Sequence, residues 1–572
     1  MTRGRRHPAI DRGWRACIAV LASCADSAGP LQGSRNAEAS EAPWLREVAA
    51  AWGIDFVHDP GSAQRFLFPE IIAGGVALLD FDGDGWLDVY LVQGGDALVE
   101  EPGARASTNR LFRSLGREGA HGKRFLDVTE ASGTGDTGYG MGAACGDFDG
   151  DGDVDLYVTN VGQNRLYRNE GGGRFTEVGA AAGVADEGWG TSSAFLDFDG
   201  DGHLDLFVVN YVDWSPERER ECFASSRDHV RSYCPPIAYG APARDVLYRG
   251  RGDGTFEDVT EALGIGAARG NGLGIAWGDF DGDSRVDVYV SNDATPNHLW
   301  LQQADGRFED HGLFRGCSLG AQGQPEAGMG VVAADLEDDG DLDIFLAHLR
   351  GEPNTVYVQQ EGLFRDRTAA LGLGASTRLF TGFGLVLADL DGDGWRDLFF
   401  ANGNVLREDP FYAADRPYAE PNQLFRGAPD GRFHEVWPRG GTLPELVETS
   451  RAVAAGDLDN DGDVDLVVVN QGARVHVLEN VVGQARPWLG LRVVDAAGAD
   501  ALGARVRVRV GDGWLERRVD CAFSFQASSD PRVLVSLVDH AGPTEVRVQC
   551  GAGPEIVFGP LAANRYHTLA LP

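Results

Sequence analysis

The chain has 572 residues, 43% of them hydrophobic, which is enough to bury a large core and to build more than one domain. Its formal charge of −37 excludes nucleic acid as a partner. Glycine, at 79 residues, runs at about twice the usual ~7% and favours a turn-rich, all-β protein. The basic residues are 49 arginines and the single Lys123, which reads as compositional bias rather than an arginine surface for acidic ligands.

Residues 1–24 have the layout of an export signal. Arg3, Arg5, Arg6, Arg12 and Arg15 precede the apolar run Ala16–Leu21, and Leu21-Ala22-Ser23-Cys24 follows. That last tetrapeptide resembles a bacterial lipobox, in which Cys24 carries the lipid after cleavage. The expectation is an exported protein at the cell surface or in the periplasm, tethered by lipid to a bacterial outer membrane, with residues 25–43 as a linker. No run of about 18 apolar residues exists to cross a membrane as a helix.

Residues 44–484 repeat one unit. A Gly-led apolar run, such as Gly75–Leu79 or Gly384–Ala388, enters an acidic loop of pattern D-x-[DE]-x-D-[GS]-x-x-D, and an alternating β-branched and aromatic run leaves it. A third strand is marked by Asn109-Arg-Leu-Phe-Arg113 or Asn422-Gln-Leu-Phe-Arg426, and a fourth by Arg124–Thr129 or Arg174–Val178. Four strands make a blade. The loop occurs seven times, so the expected architecture is a seven-bladed β-propeller. The seventh unit lacks its fourth strand. Trp44–Val48 with Trp52–Phe56 is expected to supply it and so close the ring, leaving no sheet edge open.

In each loop, carboxylates at positions 1, 3, 5 and 9 and the backbone carbonyl of position 7 form a hard-oxygen cage for Ca²⁺. The expected ligands are Asp80, Asp82, Asp84, Trp86 and Asp88 in the first loop, and Asp147, Asp149, Asp151, Asp153 and Asp155 in the second. The third has Asp197, Asp199, Asp201, His203 and Asp205, and the fourth Asp279, Asp281, Asp283, Arg285 and Asp287. Asp335, Glu337, Asp339, Asp341 and Asp343 serve the fifth; Asp389, Asp391, Asp393, Trp395 and Asp397 the sixth; Asp457, Asp459, Asp461, Asp463 and Asp465 the seventh. The loops concentrate 32 carboxylates that would repel without a counter-ion, and seven Ca²⁺ would offset 14 of the negative charges. An EF-hand would need Glu at position 12, where this chain has Leu91, Val158, Val208, Val290, Leu346, Phe400 and Val468. The cage therefore sits in a β-hairpin and closes at position 9.

Residues 211–244 interrupt the third unit with an aromatic, Pro-rich insertion, expected to face a partner or to cover a blade, and Gly403–Pro421 has the same ambiguity. Export would allow oxidation. Cys222 and Cys234, which bracket part of that insertion, are expected to pair, as are Cys521 and Cys550, while Cys145 and Cys317 are expected to be buried thiols. Residues 487–572 drop the acidic loop. Their period-two runs, among them Trp488–Val494 and Arg505–Val510, predict a small C-terminal antiparallel β-sandwich.

The units from Asp80–Asp88 through Phe125–Thr129 resemble FG-GAP/VCBS repeats, the repeats of the integrin α-subunit propeller. Gly53–Phe56, Pro69-Glu70, Gly74–Val76 and Leu91–Gly95, with Leu502–Val506 and Ala563–Arg565 in the tail, look more specifically like the CRTAC1-like ASPIC/UnbV proteins. The resemblance implies a calcium-binding, extracellular or cell-surface protein and supplies no defined catalytic activity. Ser284 stands where the fourth loop should have Gly, and Glu337 replaces Asp in the fifth. Gln549-Cys550-Gly551 and Cys521-Ala522-Phe523 depart from the family's tail motifs.

The leading functional expectation is a monomeric, surface-tethered binding or adhesion module for an extracellular protein or glycan, not an enzyme. The alternative is a polysaccharide-active enzyme working in the central depression of the propeller. No HExxH, GxSxG or Cys/His pairing supports it, and only His58, His298 and His348 merit a test as catalytic groups.

Overall fold

The computed structural model describes residues 42–61, 65–95, 98, 107–117, 119, 123–224, 230–407 and 416–572. The expected signal, its Cys24 and the linker up to residue 41 lie outside the described residues.

Seven sheets with four antiparallel strands each follow one another along the chain, six of them with those strands in sequential order. Blade 1 comprises Val76–Leu79, Asp88–Leu91, Arg110–Ser114 and Phe125–Asp127. Blades 2 to 6 repeat this from first strands at Tyr139–Gly146, Gly190–Leu196, Gly272–Gly278, Val331–Ala334 and Gly382–Ala388. Blade 7 has Ser450–Gly456, Asp465–Asn470 and His476–Asn480, and Leu45–Glu47 pairs antiparallel with the last of these. The first strand of each blade touches that of the next, and blade 7 returns to blade 1, so the sheets form a closed ring. Between neighbouring blades the inward faces of the strands fuse into apolar layers, such as Val76, Leu78, Val467 and Val469 between blades 1 and 7.

The closing segment is shorter than expected. Only Leu45–Glu47 is strand; Ala49–Trp52 is a single helical turn ended by Gly53 in the left-handed region at φ 100°. The same turn follows the fourth strand of blades 1 to 4, at Thr129–Ser132, Gly179–Ala182, Thr260–Leu263 and Gly312–Arg315. In blades 1 and 3 the cause is local. Asp127 and Asp258 accept the amides of Thr129 and Thr260, and this side-chain turn bends the chain out of the sheet.

Residues 488–570 form a sandwich. Val533–Ser536, Trp488–Val494 and Tyr566–Ala570 make one sheet; Gly513–Arg518, Arg505–Val510, Thr544–Gln549 and Ile556–Leu561 make the other. Leu489, Leu491, Val506, Val508, Val546 and Val548 fill the space between them.

Between its sheets the tail sends residues 521–530 into the axis of the ring. Ala527–Ser528 pairs in parallel with Val76–Ala77 of blade 1, while Ser524 exchanges backbone hydrogen bonds of 2.8 and 3.0 Å with Val331 of blade 5. The Ser524 Oγ accepts the Leu385 amide of blade 6, Ser529 Oγ accepts that of Ala455 in blade 7, and the Gln526 amide reaches Ser192 Oγ in blade 3. Phe525 is fully buried against Phe383. One short segment thus satisfies backbone groups on four blades and a side chain on a fifth, all of which would otherwise line an open channel. At the other mouth, Tyr211, Trp214 and Tyr239 of the insertion pack with Phe68 and Trp189.

This arrangement bears on two expectations. The axial segment occupies part of the central channel of the ring, and a cleft remains beside it against the inner strands of blades 4 to 7. Cys521 and Cys550 do not pair: Cys521 travels with the axial segment and is buried against the Cys145 carbonyl, whereas Cys550 is exposed on a turn of the sandwich. Cys145 and Cys317 are buried thiols, and Cys222 is bonded to Cys234 with an S–S distance of 2.15 Å.

Candidate metal centres

Each acidic loop joins the first two strands of a blade, and all seven fold by the same hydrogen bonds. The position-6 amide donates to Oδ2 of the position-1 aspartate at 2.7–3.0 Å. This closure needs a left-handed residue, as at Gly85 (φ 85°). Ser284 takes the same conformation, at φ 67°, and still donates to Asp279, so the fourth loop keeps its shape despite losing glycine. The position-5 carboxylate accepts the position-7 amide in all seven loops.

The position-9 aspartate does two jobs. Oδ2 accepts the position-2 amide at 2.8–3.1 Å. Oδ1 accepts an amide from the third strand at 2.6–2.9 Å. Asp88, Asp155, Asp205, Asp287, Asp343, Asp397 and Asp465 are therefore buried clamps between loop and sheet as well as candidate ligands. The clamp has no separate signature in the sequence, because the same residue type at the same position satisfies the metal pattern.

Carboxylate oxygens of positions 1, 3 and 9 come within 4.8 Å of one another in the triads Asp80/Asp82/Asp88, Asp147/Asp149/Asp155, Asp197/Asp199/Asp205, Asp279/Asp281/Asp287 and Asp389/Asp391/Asp397. Several of these oxygens are buried without any hydrogen-bond partner: Oδ1 of Asp82, Asp149, Asp281, Asp389 and Asp459, and both oxygens of Asp463. Burial pushes Asp155 up to about 9, with Asp149 and Asp147 adding repulsion. It raises Asp205 to about 8 and Asp287 and Asp343 to about 7. Carboxylates so crowded and so dry stay ionised together only beside a cation. Orphaned acceptors and an all-oxygen donor set fit a hard divalent ion.

Part of the cation demand is met by the protein. Arginines of the third strand reach the position-3 carboxylate, as in Arg113–Asp82 (2.5 Å), Arg249–Asp199 (2.9 Å) and Arg426–Asp391 (2.8 Å). By composition alone these arginines read as bias. Their fixed place at the end of the third-strand motif is the signal that could have identified them.

The tail sandwich lies on the loop face of the ring. Tyr566 OH donates to Asp457 Oδ2 at 2.8 Å, and Arg532 donates to the Asp457 carbonyl and to Asn460 Oδ1, both at 2.9 Å. Trp488 packs on Gly462, and Arg124 pairs with Asp459 at 2.8 Å. His58, His298 and His348 are buried in blade packing, and burial lowers the first to about 3 and the last to about 4.

Comparison with known proteins agrees with this reading of the fold. A model of the FG-GAP-like repeat matches residues 80–158, 147–208, 237–290, 279–346, 335–400 and 407–468, and a model described as ASPIC and UnbV matches residues 495–572. Cartilage acidic protein 1 of Homo sapiens is 26% identical over 380 residues, covering 64% of this chain and 50% of that protein. The Mus musculus protein of the same name is 25% identical over 376 residues, covering 64% and 51%. The chain thus spans about half the length of these relatives. A solved Agrocybe aegerita lectin that recognises non-reducing terminal N-acetylglucosamine aligns at 17% identity over 66% of this chain and 83% of its own, with a TM-score of 0.35. The repeats cover more than half of the sequence, and with them the chain belongs to the FG-GAP-like repeat family, carrying an ASPIC and UnbV domain over residues 495–572.

Proposed function

We propose that this protein is an exported, calcium-loaded propeller that acts as a non-catalytic binding or adhesion module for an extracellular protein or glycan. The observation that carries the calcium reading is the set of buried carboxylate oxygens with no hydrogen-bond partner at positions 1, 3 and 7 of the loops. Positions 1, 3, 5 and 9, with the position-7 carbonyl, would hold the ion, and its charge would neutralise the cluster and lock the hairpin. The ordered disulfide Cys222–Cys234 supports an oxidising compartment, reached through the signal of residues 1–24 and held there by lipid on Cys24.

Because the axial segment occupies part of the central channel, contacts with a partner fall on outer surfaces. The insertion supports this reading: its aromatic residues are turned inward, yet it leaves Ile237 67% and Phe223 43% exposed. The test is a screen of the processed chain on glycan and matrix-protein arrays, with metal content measured on the same preparation. Saturable binding abolished by EDTA, with several equivalents of calcium, is the expected result. Less than one equivalent of metal, or turnover of an arrayed glycan, would sink the proposal.

A further inference from the structure

A cleft of about 1030 Å³ separates the loop face of the ring from the tail sandwich. Most of the carboxylates that line it, such as Asp279, Asp335 and Asp389, belong to the acidic loops. The rest are answered locally: Asp520 by Arg518 at 2.5 Å, Asp530 by Arg532 at 2.9 Å, and Glu516 by Arg507 at 4.0 Å. With the loops loaded, two buried cations in the lining stand out as weakly compensated.

The first is Arg396, at position 8 of the sixth loop. The other six loops have Leu87, Val154, Leu204, Val286, Leu342 and Val464 there, because the position packs into the apolar layers beside the blades. Arg396 breaks that pattern. Its side chain makes no hydrogen bond or ion pair with a described residue, and Nη1 is buried without a partner. The second is Arg517 of the sandwich. It donates one bond to the Glu516 carbonyl, and among the described residues the carboxylate within 4 Å of it is Asp338, at 3.9 Å. Asp338, which is not one of the expected calcium ligands, acts on both guanidinium groups. Trp277 lines the same cleft with a buried Nε1 that has no acceptor. A buried guanidinium nitrogen with no acceptor, in a cleft whose other clamp arginine is held by one long ion pair, is costly unless a further anion reaches it. A planar or tetrahedral oxyanion accepts paired guanidinium N–H groups, and the cleft has the size of a small-ligand site.

We propose that this cleft binds the carboxylate or sulfate group of a small organic anion, with Arg396 and Arg517 as the clamp and Trp277 as an added donor. The proposal rests on calcium loading of the loops, since empty loops would surround the site with negative charge. The test titrates the processed full chain calorimetrically, in calcium and after metal analysis, with glucuronate, glucose 6-sulfate and neutral glucose. At least one anion should bind and glucose should not, and the anion that binds tells carboxylate from sulfate. Arg396→Leu, which restores the residue type of the other loops, and Arg517→Gln should each weaken binding about tenfold or more without lowering the thermal melt. Calcium in the loops with no binding of either anion would overturn the inference alone, as would binding unchanged in both variants. Loops without metal and no anion binding would overturn this inference together with the calcium reading.

Discussion

The third and seventh acidic loops share one pattern and one hydrogen-bond scheme but live in different surroundings. In the third, Asp199, Asp201 and His203 are exposed, and Arg249 is the cation beside Asp199. In the seventh, Asp457 and Asp465 are 1% exposed, and Tyr566, Arg532, Arg124 and Trp488 close over the loop. A repeated motif therefore serves two purposes. Where solvent reaches it, the loop would be free to exchange a bound ion; where the tail covers it, the loop is also the surface on which a second domain is built. The difference comes from the partners that a distant part of the sequence delivers.

The largest effect separating the two should come from chelation. With a millimolar calcium supply and Kd near 10⁻⁴ M, each loaded site contributes about 1.4 kcal/mol, so stripping every loop should lower the melt more than any one substitution. Calcium release followed by stopped flow should be biphasic, with exposed loops first; one uniform phase would break the comparison. Arg532→Ala comes next. It removes a buried pair with Asp530 and the bonds to loop seven, at about 3–5 kcal/mol in a guanidinium melt, and it leaves the third loop's calcium in place. Asp457→Ala should cost about 3 kcal/mol, because it also strands Tyr566, whereas Asp197→Ala should cost about 1 kcal/mol in calcium. Equal losses would show that the cover adds nothing.

Acid should act through two histidines that lie outside both loops. Burial holds His58 and His348 below their usual 6.5, at about 3 and about 4. The unfolded chain takes up those protons first, so stability is intact above pH 6.5 and is lost as pH falls toward 3. The loss is about 1 kcal/mol for each histidine by pH 5.5. Replacing both by Gln should flatten the melt across that window.

The ring was legible because each blade writes its own local signals: a Gly-led run, an acidic hairpin, an Asn-x-Leu-aromatic strand. Even the closing strand at Leu45–Glu47 could be inferred from a missing element. The Cys222–Cys234 bond was legible because both residues flank one short excursion. The axial segment was not. Cys521–Asp530 has no period, being small and polar at Ser524 and Ser529 because those side chains answer single amides on separate blades. Assigning Cys521 to Cys550 failed for the same reason, since proximity in sequence stood in for a path that leaves the domain. Arg396 was hidden within the metal motif, whose pattern leaves position 8 open.

The pairing of Ala527 with Val76 joins residues about 450 positions apart. A nascent chain must release nearly all of its length before the hub of the wheel exists, and until then the inner strands have bare amides facing an empty shaft. Assembly is consequently slow and dominated by distant contacts, and a chain cut short before residue 530 has a rim with no axle.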